Sequence, residues 1–347
     1  MIKPKMLKKC DTVALVSLSV GIAGEANFIH RYELGKKRLE DEFGLNVVTM
    51  PNALKGIKYL DEHPEARAQD LMDAFSDKSI NGIITMIGGD DTVRILNYID
   101  FNVIKNNPKV FMGMSDTTAN HLMMYKSGIV SFYGAAVLAE FAENVEMHEY
   151  VKYYLNETLF KINDTLEIKS SPFWTSEYLE WAEPSNDLIQ RKMTKESRGH
   201  EFLQGIGKVQ GKLFGGCLDT FSMLFGTEIW PKGNEWDNII LFMETSEEFP
   251  EPHIVKHLLR GLLAQGVFER ISGIIMGKPK DEKYYEEYKT ILKNVVCNEA
   301  KKPNLPIIYN MNFGHCSPIC VLPYGVNAEI DCDNKTFKLL ESGVANV

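Results

Sequence analysis

Between Thr12 and Tyr150 short apolar runs alternate with stretches of helical periodicity, and this alternation constrains the fold more than any other feature of the chain. "TVALVSLS" at Thr12 precedes a helix with Phe28, Leu34 and Leu39 on one side, and "LNVVTM" at Leu45 precedes a second helix through Ala66 to Phe75. "NGIITMIGG" at Asn81, "KVFMGM" at Lys109 and "GIVSFYG" at Gly128 continue the pattern. Apolar strands joined by helices predict a parallel sheet covered on both faces, because each parallel pair needs a crossover connection. Such sheets, doubly wound, collect ligands at the carboxyl ends of their strands. Gly88, Gly89, Asp90, Ser115 and Asp116 fall at those ends.

The texture changes after about residue 160, which divides the chain into an N-terminal α/β domain, 1–160, and a second domain, 161–347. In the second domain "GKLFGGCLDTFSML", "NIILFMETSEE", "ISGIIMGKP" and "LPIIYNMNFGHCSP" read as buried strands with three helices among them, ending in "GVNAEIDCDNKTFKLL". A mixed α/β domain rich in strands is expected. Before it stands a polar and aromatic insert, about 171–207, with "FWTSEYLEWAEPS" and "RKMTKESRGHE". A structureless stretch of that length inside a compact domain is uncommon and serves as a binding loop or lid, so a mobile flap is expected.

A formal charge of -9 gives no basic field for a nucleic acid polymer or an anionic membrane. Lys3, Lys5, Lys8 and Lys9 ahead of "VALVSLSVGIAGEA" imitate a signal peptide, but Asp11 interrupts the expected apolar start and the apolar core is short. No run approaches the ~18 apolar residues of a membrane span. Six scattered cysteines in a chain too long to need staples fit reduced thiols and a cytoplasmic location. Cys316 and Cys320 beside His315 lack the second ligand pair of a structural zinc site, so no metal is expected.

"MSDTT" at Met114 can be read in two ways. Ser-Asp-Thr-Thr before a helix is a good N-terminal cap. A serine on a sharp strand-to-helix turn is also placed as a nucleophile, with free helix amides ready for an oxyanion. Glu244 ends the apolar run "IILFME"; its alternative role is as part of an acidic loop with Glu247, Glu248 and Glu251. His315, in "NMNFGHCSP", is the one histidine of eight at a comparable strand end. Ser115, Glu244 and His315 are the residue types that acyl transfer needs: a hydroxyl that attacks, an imidazole that takes its proton, and a carboxylate that orients the imidazole. Neither G-x-G-x-x-G nor G-x-x-x-x-G-K-S/T occurs, so "IGGDD" at Ile87 does not signal a dinucleotide or Walker-type site, and no organic cofactor is expected.

"LKKCDTVALVSLS", "NGIITMIGGDDTVRILNYID", "PKVFMGMSDTTANHLMMY", "GKLFGGCLDT", "ILFMETSEE" and "IIYNMNFGHCSPICVLPYGVNAEID" together resemble the successive motifs of the LD-carboxypeptidase family of serine peptidases. The resemblance implies Ser115 as nucleophile, Glu244 as acid and His315 as base, with capping left to Asp116 or Thr117. It also implies an oxyanion hole from the backbone N–H groups of Gly89 and Asp116, and a homodimer. The long insert with Trp174 and Trp181 resembles the microcin C resistance (MccF-like) branch. Enzymes of that branch cut the amide between an aminoacyl group and a nucleotide, and an aromatic residue of the insert stacks on the base. The branch implies Trp174, Trp181 and Asp90 as substrate-binding residues for a small-molecule or peptide substrate, an aminoacyl nucleotide in particular. Cys10 departs from the family's usual Gly before the first Asp. Two alternatives remain at this point: removal of terminal D-Ala from the murein tetrapeptide, and a non-catalytic nucleotide- or peptide-binding protein on the same fold.

Overall fold

The five N-terminal apolar runs form strands β1 (Thr12–Val16), β2 (Asn46–Thr49), β3 (Ile80–Thr85), β4 (Val110–Gly113) and β5 (Phe132–Tyr133) of one sheet. They lie parallel in the order β5-β4-β3-β1-β2. Residues 1–346 are described by this computed structural model. Helices α1 (Ile29–Asp41), α2 (Ile57–Glu62), α3 (Pro64–Ser76), α4 (Phe101–Asn106), α5 (Thr118–Lys126) and α6 (Glu149–Leu159) supply the crossovers and cover. Every residue of β4 is buried, as a strand covered on both faces requires.

Helix α1 departs from the expected apolar face. Leu34 is only half-buried, and the buried stripe is Arg31, Gly35, Arg38 and Leu39. Both guanidiniums are satisfied by carbonyls: Arg31 donates to Leu138 and Ala142, Arg38 to Phe141, Glu143 and Val145. A fixed fork of donors can therefore be buried against a loop that has carbonyls to offer.

The second sheet has eight strands in the order β6-β16-β15-β10-β11-β12-β13-β9. These are β6 (Leu166–Glu167), β9 (Glu201–Gln204), β10 (Lys208–Cys217), β11 (Ile239–Glu244), β12 (Gly273–Gly277), β13 (Ile307–Met311), β15 (Asn327–Asp331) and β16 (Thr336–Leu339). Strands β10 to β13 run parallel, and the outer pairings are antiparallel. Helices α7 (Leu218–Leu224), α8 (Pro252–Ala264) and α9 (Tyr285–Lys293) pack beside it. A further short strand of this half, β14 (Leu322–Pro323), crosses back to pair with β5 of the first sheet. Among the described residues no helix is long and apolar enough to cross a membrane.

The insert is not structureless. It contains the two-stranded pair β7 (Phe173–Trp174) and β8 (Thr194–Lys195), a 3-10 turn at Pro184–Leu188, and β9 on the edge of the larger sheet. It is also tied down at several points. Asp187 pairs with His30 and with the buried Arg31 of α1, Arg191 forks onto Glu143, and Thr175 exchanges two backbone hydrogen bonds with Ser317. Charge-assisted bonds at half-buried positions hold a segment that could bury little apolar surface by itself. Asp187→Ala should cost about 1–3 kcal/mol by leaving Arg31 one anion short. It should also speed tryptic cleavage at Arg191 or Lys192, read by mass spectrometry beside a urea melt. Unchanged cleavage kinetics would show that the ion pairs do not restrain the insert.

Candidate active site

Strand β4 ends at Gly113, and the chain turns at Ser115 with φ 61 before α5 begins. A left-handed φ at a non-glycine residue is strained, and on a strand-to-helix turn it lifts the side chain above the sheet edge. Ser115, Asp116 and Thr117 make no capping hydrogen bond to α5, contrary to the expectation for Asp116 or Thr117. The Asp116 carboxylate instead accepts from the Ser19 hydroxyl at 2.7 Å and the Thr92 amide at 2.8 Å. This ties the turn after β4 to the loop after β1 and to the Gly88–Gly89 turn, where Asp91 is held by the fully buried Arg67 at 2.6 Å.

Two glycine positions show how close the parts lie. A Cβ on Gly88 would stand 2.8 Å from the Ser115 Cβ and 3.1 Å from the Asp116 nitrogen. One on Gly314, whose φ is 93, would stand 2.6 Å from Glu244 Oε2. Backbone at both places approaches a functional side chain more closely than any larger residue allows.

His315 follows Gly314 on the loop after β13. Its Nδ1 is 2.7 Å from Glu244 Oε2 and its Nε2 is 3.0 Å from Ser115 Oγ. Glu244, at the carboxyl end of β11, is 1% exposed. Its other oxygen accepts a 2.6 Å bond from the Tyr133 hydroxyl, which in turn accepts the Ser115 N–H at 3.0 Å. Burial, then the charge of Glu244, pushes Tyr133 well above the usual phenol range, so it stays a donor. A second carboxylate, Glu247, reaches His315 Nε2 at 2.9 Å. Burial alone would lower the His315 pKa, but the charge and hydrogen bond of Glu244, with those of Glu247, hold it well above the ordinary imidazole value.

A cavity of about 360 Å³ is lined by Ser115, His315, Gly88, Gly89 and Glu247 together with Ser176, Tyr178 and Trp181 of the insert. Arg31 lines it too, and its guanidinium lies 4.5 Å from the Trp181 ring centre. Trp174 is not in this lining; the Lys278 ammonium sits 4.5 Å from its ring instead. Asp90 is exposed and also outside the lining. Cys316 and Cys320 are buried thiols, each pushed up to about 12 by burial. Among the described residues no three His, Cys, Asp or Glu side chains group as a metal site. Ser115, Glu244, His315, Gly89 and Asp116, 226 positions apart at the extremes by number, thus converge, while Trp174 and Asp90 do not join them.

A hydroxyl, an imidazole and a carboxylate in one hydrogen-bonded chain can perform nucleophilic acyl transfer. Family models for the LD-carboxypeptidase N-terminal and C-terminal domains match residues 13–134 and 210–330. The chain belongs to the LD-carboxypeptidase family. It is 32% identical to a putative carboxypeptidase of Vibrio cholerae over 79% of each chain. It is 30% identical to the microcin C7 self-immunity protein MccF of Escherichia coli, over 79% of this chain and 78% of that one. An MccF-like protein from Streptococcus pneumoniae, solved in complex with AMP, superposes with a TM-score of 0.87 at 37% identity, covering 95% of this chain and 98% of that one. This LD-carboxypeptidase is therefore a serine-type carboxypeptidase of the MccF-like branch. The whole insert, 171–207, lies between the two matched segments.

Sequence reasoning missed Tyr133, whose "SFYG" setting resembles any buried strand; it placed Gly88 at a strand end but did not show that Gly88, rather than Gly89, abuts Ser115. Glu247 looked like a solvated loop acid; only the fold brings it onto His315.

The LD-carboxypeptidase should hold His315 protonated above pH ~6.5, the ordinary imidazole value, as read by histidine 15N NMR titration. Because the folded pKa is raised, the imidazolium's contribution to stability is complete below ~6.5 and is lost as pH rises through the folded value. A general base must be neutral, so a base role proposed for His315 is expected to emerge over that same rise. Glu247→Gln should lower the midpoint by removing one anion; an unchanged midpoint would mean water screens the half-exposed Glu247 from the ring.

Proposed function

We propose that this enzyme hydrolyses the amide joining an aminoacyl group to a nucleotide, through an acyl-enzyme on Ser115. The observation that carries the reading is the single cavity lined both by Ser115 and His315 and by Trp181, Tyr178 and Arg31. A site of this size suits one small ligand, and a nucleobase presents a π face to an indole whatever its identity. Arg31 packs on Trp181, whose backbone carbonyl also contacts His30, so the stacking surface is set in place before ligand arrives. Trp181, not Trp174, is the insert tryptophan we assign to the base. MccF of Escherichia coli has been solved with aspartyl sulfamoyl adenosine, with 26% identity to this chain and a TM-score of 0.85 over 99% of this chain and all of that one, and with glutamyl sulfamoyl guanosine.

In the proposed mechanism His315 Nε2 takes the Ser115 proton as Oγ attacks the acyl carbon. Glu244 holds Nδ1 and stabilises the imidazolium that forms. The Gly89 and Asp116 amides face the developing oxyanion, where fixed dipoles in a dry site act most strongly. The C–N bond breaks as the imidazolium returns its proton to the leaving nitrogen, and the nucleotide departs. Water, deprotonated by the same imidazole, then cleaves the Ser115 ester and releases the amino acid. The steps need no metal or organic cofactor.

Ser115→Ala should lower kcat on an aminoacyl sulfamoyl adenosine by at least about 10³-fold. Retention of more than about a tenth of the rate, only ~1.4 kcal/mol of barrier, would sink the nucleophile assignment and leave a binding protein as the better reading. Trp181→Ala should weaken the nucleotide substrate about 5- to 150-fold, the range expected for one stacking contact, while sparing substrates without a base. Faster wild-type turnover of an L-Ala-D-Glu-diaminopimelate-D-Ala peptide than of the nucleotide conjugate would assign the site to murein instead.

A further inference from the structure

Two consecutive side chains of α1 hold Trp181, one by its ring and one by its backbone. The Arg31 guanidinium lies 4.5 Å from the centre of the indole. His30 Nε2 lies 3.0 Å from the Trp181 carbonyl oxygen, and His30 Nδ1 lies 2.5 Å from Asp187 Oδ2. The other Asp187 oxygen accepts from Arg31 at 2.9 Å, so one carboxylate of the insert ties both side chains together. His30 and Asp187 are largely buried, which keeps water from standing in readily for either contact.

The hydrogens available to His30 decide its charge. A carbonyl oxygen carries no hydrogen, and a carboxylate bonded to a guanidinium carries none either, so both partners of the ring can only accept. Both ring nitrogens must then donate. A neutral imidazole has one N–H and one lone pair, and whichever nitrogen held the lone pair would face an acceptor. Only the imidazolium satisfies both contacts. When the proton leaves, one contact goes with it. The bond to Asp187 is the stronger, because its acceptor is charged, so the bond to the Trp181 carbonyl is the one given up.

The other charged groups at this junction cannot replace that donor. Arg31 gives its remaining N–H groups to Leu138, Ala142 and Asn144. Arg191 is committed to Glu143, which also meets His148. Glu180 accepts from the Tyr178 hydroxyl and the Ala182 amide, and Glu33, one turn along α1, is exposed. His30 does not itself line the cavity, so it can act on a ligand only through Trp181 and Asp187.

We infer that His30 is a positioning residue for Trp181: as an imidazolium it fastens the indole for stacking, and nucleobase affinity falls as His30 loses its proton. The inference rests on the proposal that Trp181 stacks on a base and adds a pH-dependent hold on that residue.

Adenosine is the probe, since it has no group that titrates between about pH 5 and 8, the span over which an imidazole changes charge. Its Kd for the wild type, read by calorimetry, should rise about 2- to 10-fold across that span, the range for one hydrogen bond. His30→Phe, which keeps a ring but has no N–H, should bind with the weaker affinity throughout. His30→Lys, charged at every pH in the span, should keep the tighter affinity throughout. His315 is present in all three proteins, so the slope that counts is the difference between wild type and His30→Phe. A second readout needs no ligand: acrylamide quenching of the Trp181 emission, taken as wild type minus Trp181→Phe, should increase with pH, and in the His30→Lys background it should not. Equal pH slopes for adenosine in wild type and His30→Phe would overturn the inference, as would quenching that does not change with pH. Adenosine that fails to bind at any pH, or that binds Trp181→Ala as well as wild type, would reject base stacking instead, and the quenching slope would then decide the role of His30 alone.

Discussion

A single phenol joins the two halves of the molecule at the point where chemistry is proposed to occur. Tyr133, at the end of β5, accepts the Ser115 amide and donates to Glu244, so it touches both the turn after β4 and the end of β11. Those two strands belong to different sheets. Their carboxyl ends must face each other at hydrogen-bond distance for Ser115, His315 and Glu244 to form one chain, and an error of an ångström would break it. Tyr133 fixes that spacing from the back while His315 fixes it from the front. The phenol and the carboxylate are equally buried, which makes each a necessity for the other: an unpaired Glu244 at that depth would carry the full desolvation penalty.

The residues proposed for reaction and those proposed for recognition stand on structurally different ground. Ser115, Glu244 and His315 stand at the ends of strands that are buried throughout, β4, β11 and β13. Trp181 and Tyr178 stand on the insert, whose position depends on ion pairs to α1 and to the loop that follows β5. Rigid strands hold reacting atoms within tight tolerance, while a loop can change its aromatic residues without moving them. The family-matched segments follow the same division, covering these three strands and leaving out the insert.

That division also governs what could be read from the sequence. Strand-end positions carried Ser115, Glu244 and His315 because parallel strands announce themselves as uninterrupted apolar runs, and a charged or hydroxylic residue at the end of one stands out. The β1 to β5 alternation likewise gave the sheet, and the β10 to β13 runs gave the second. The insert was read as structureless because its order comes from partners distant in sequence: Asp187 is 156 residues from Arg31, and Ser317 is 142 from Thr175. Polar composition cannot reveal such contacts. The same limit hid the buried arginines of α1, which break the expected apolar stripe because the carbonyls that satisfy them lie on another segment. It also left Trp174 and Trp181 indistinguishable, although one lines the cavity and the other packs beneath Lys278.

Two carboxylates on one imidazole have opposite consequences, and burial decides which is which. Glu244 meets Nδ1 at 1% exposure, with its second oxygen already bonded to Tyr133, so it has no alternative position and no water to turn to. It acts as a permanent orienting partner that favours the imidazolium whenever it forms. Glu247 meets Nε2 with half of its side chain in solvent, so hydration offsets much of what it would lose by leaving. The first contact sets the ring's tautomer and direction; the second sets only its resting charge. In the proposed mechanism an imidazole held protonated at rest cannot take the Ser115 proton, so the half-exposed carboxylate at Nε2, not the buried one at Nδ1, is the contact that has to give way before the base acts.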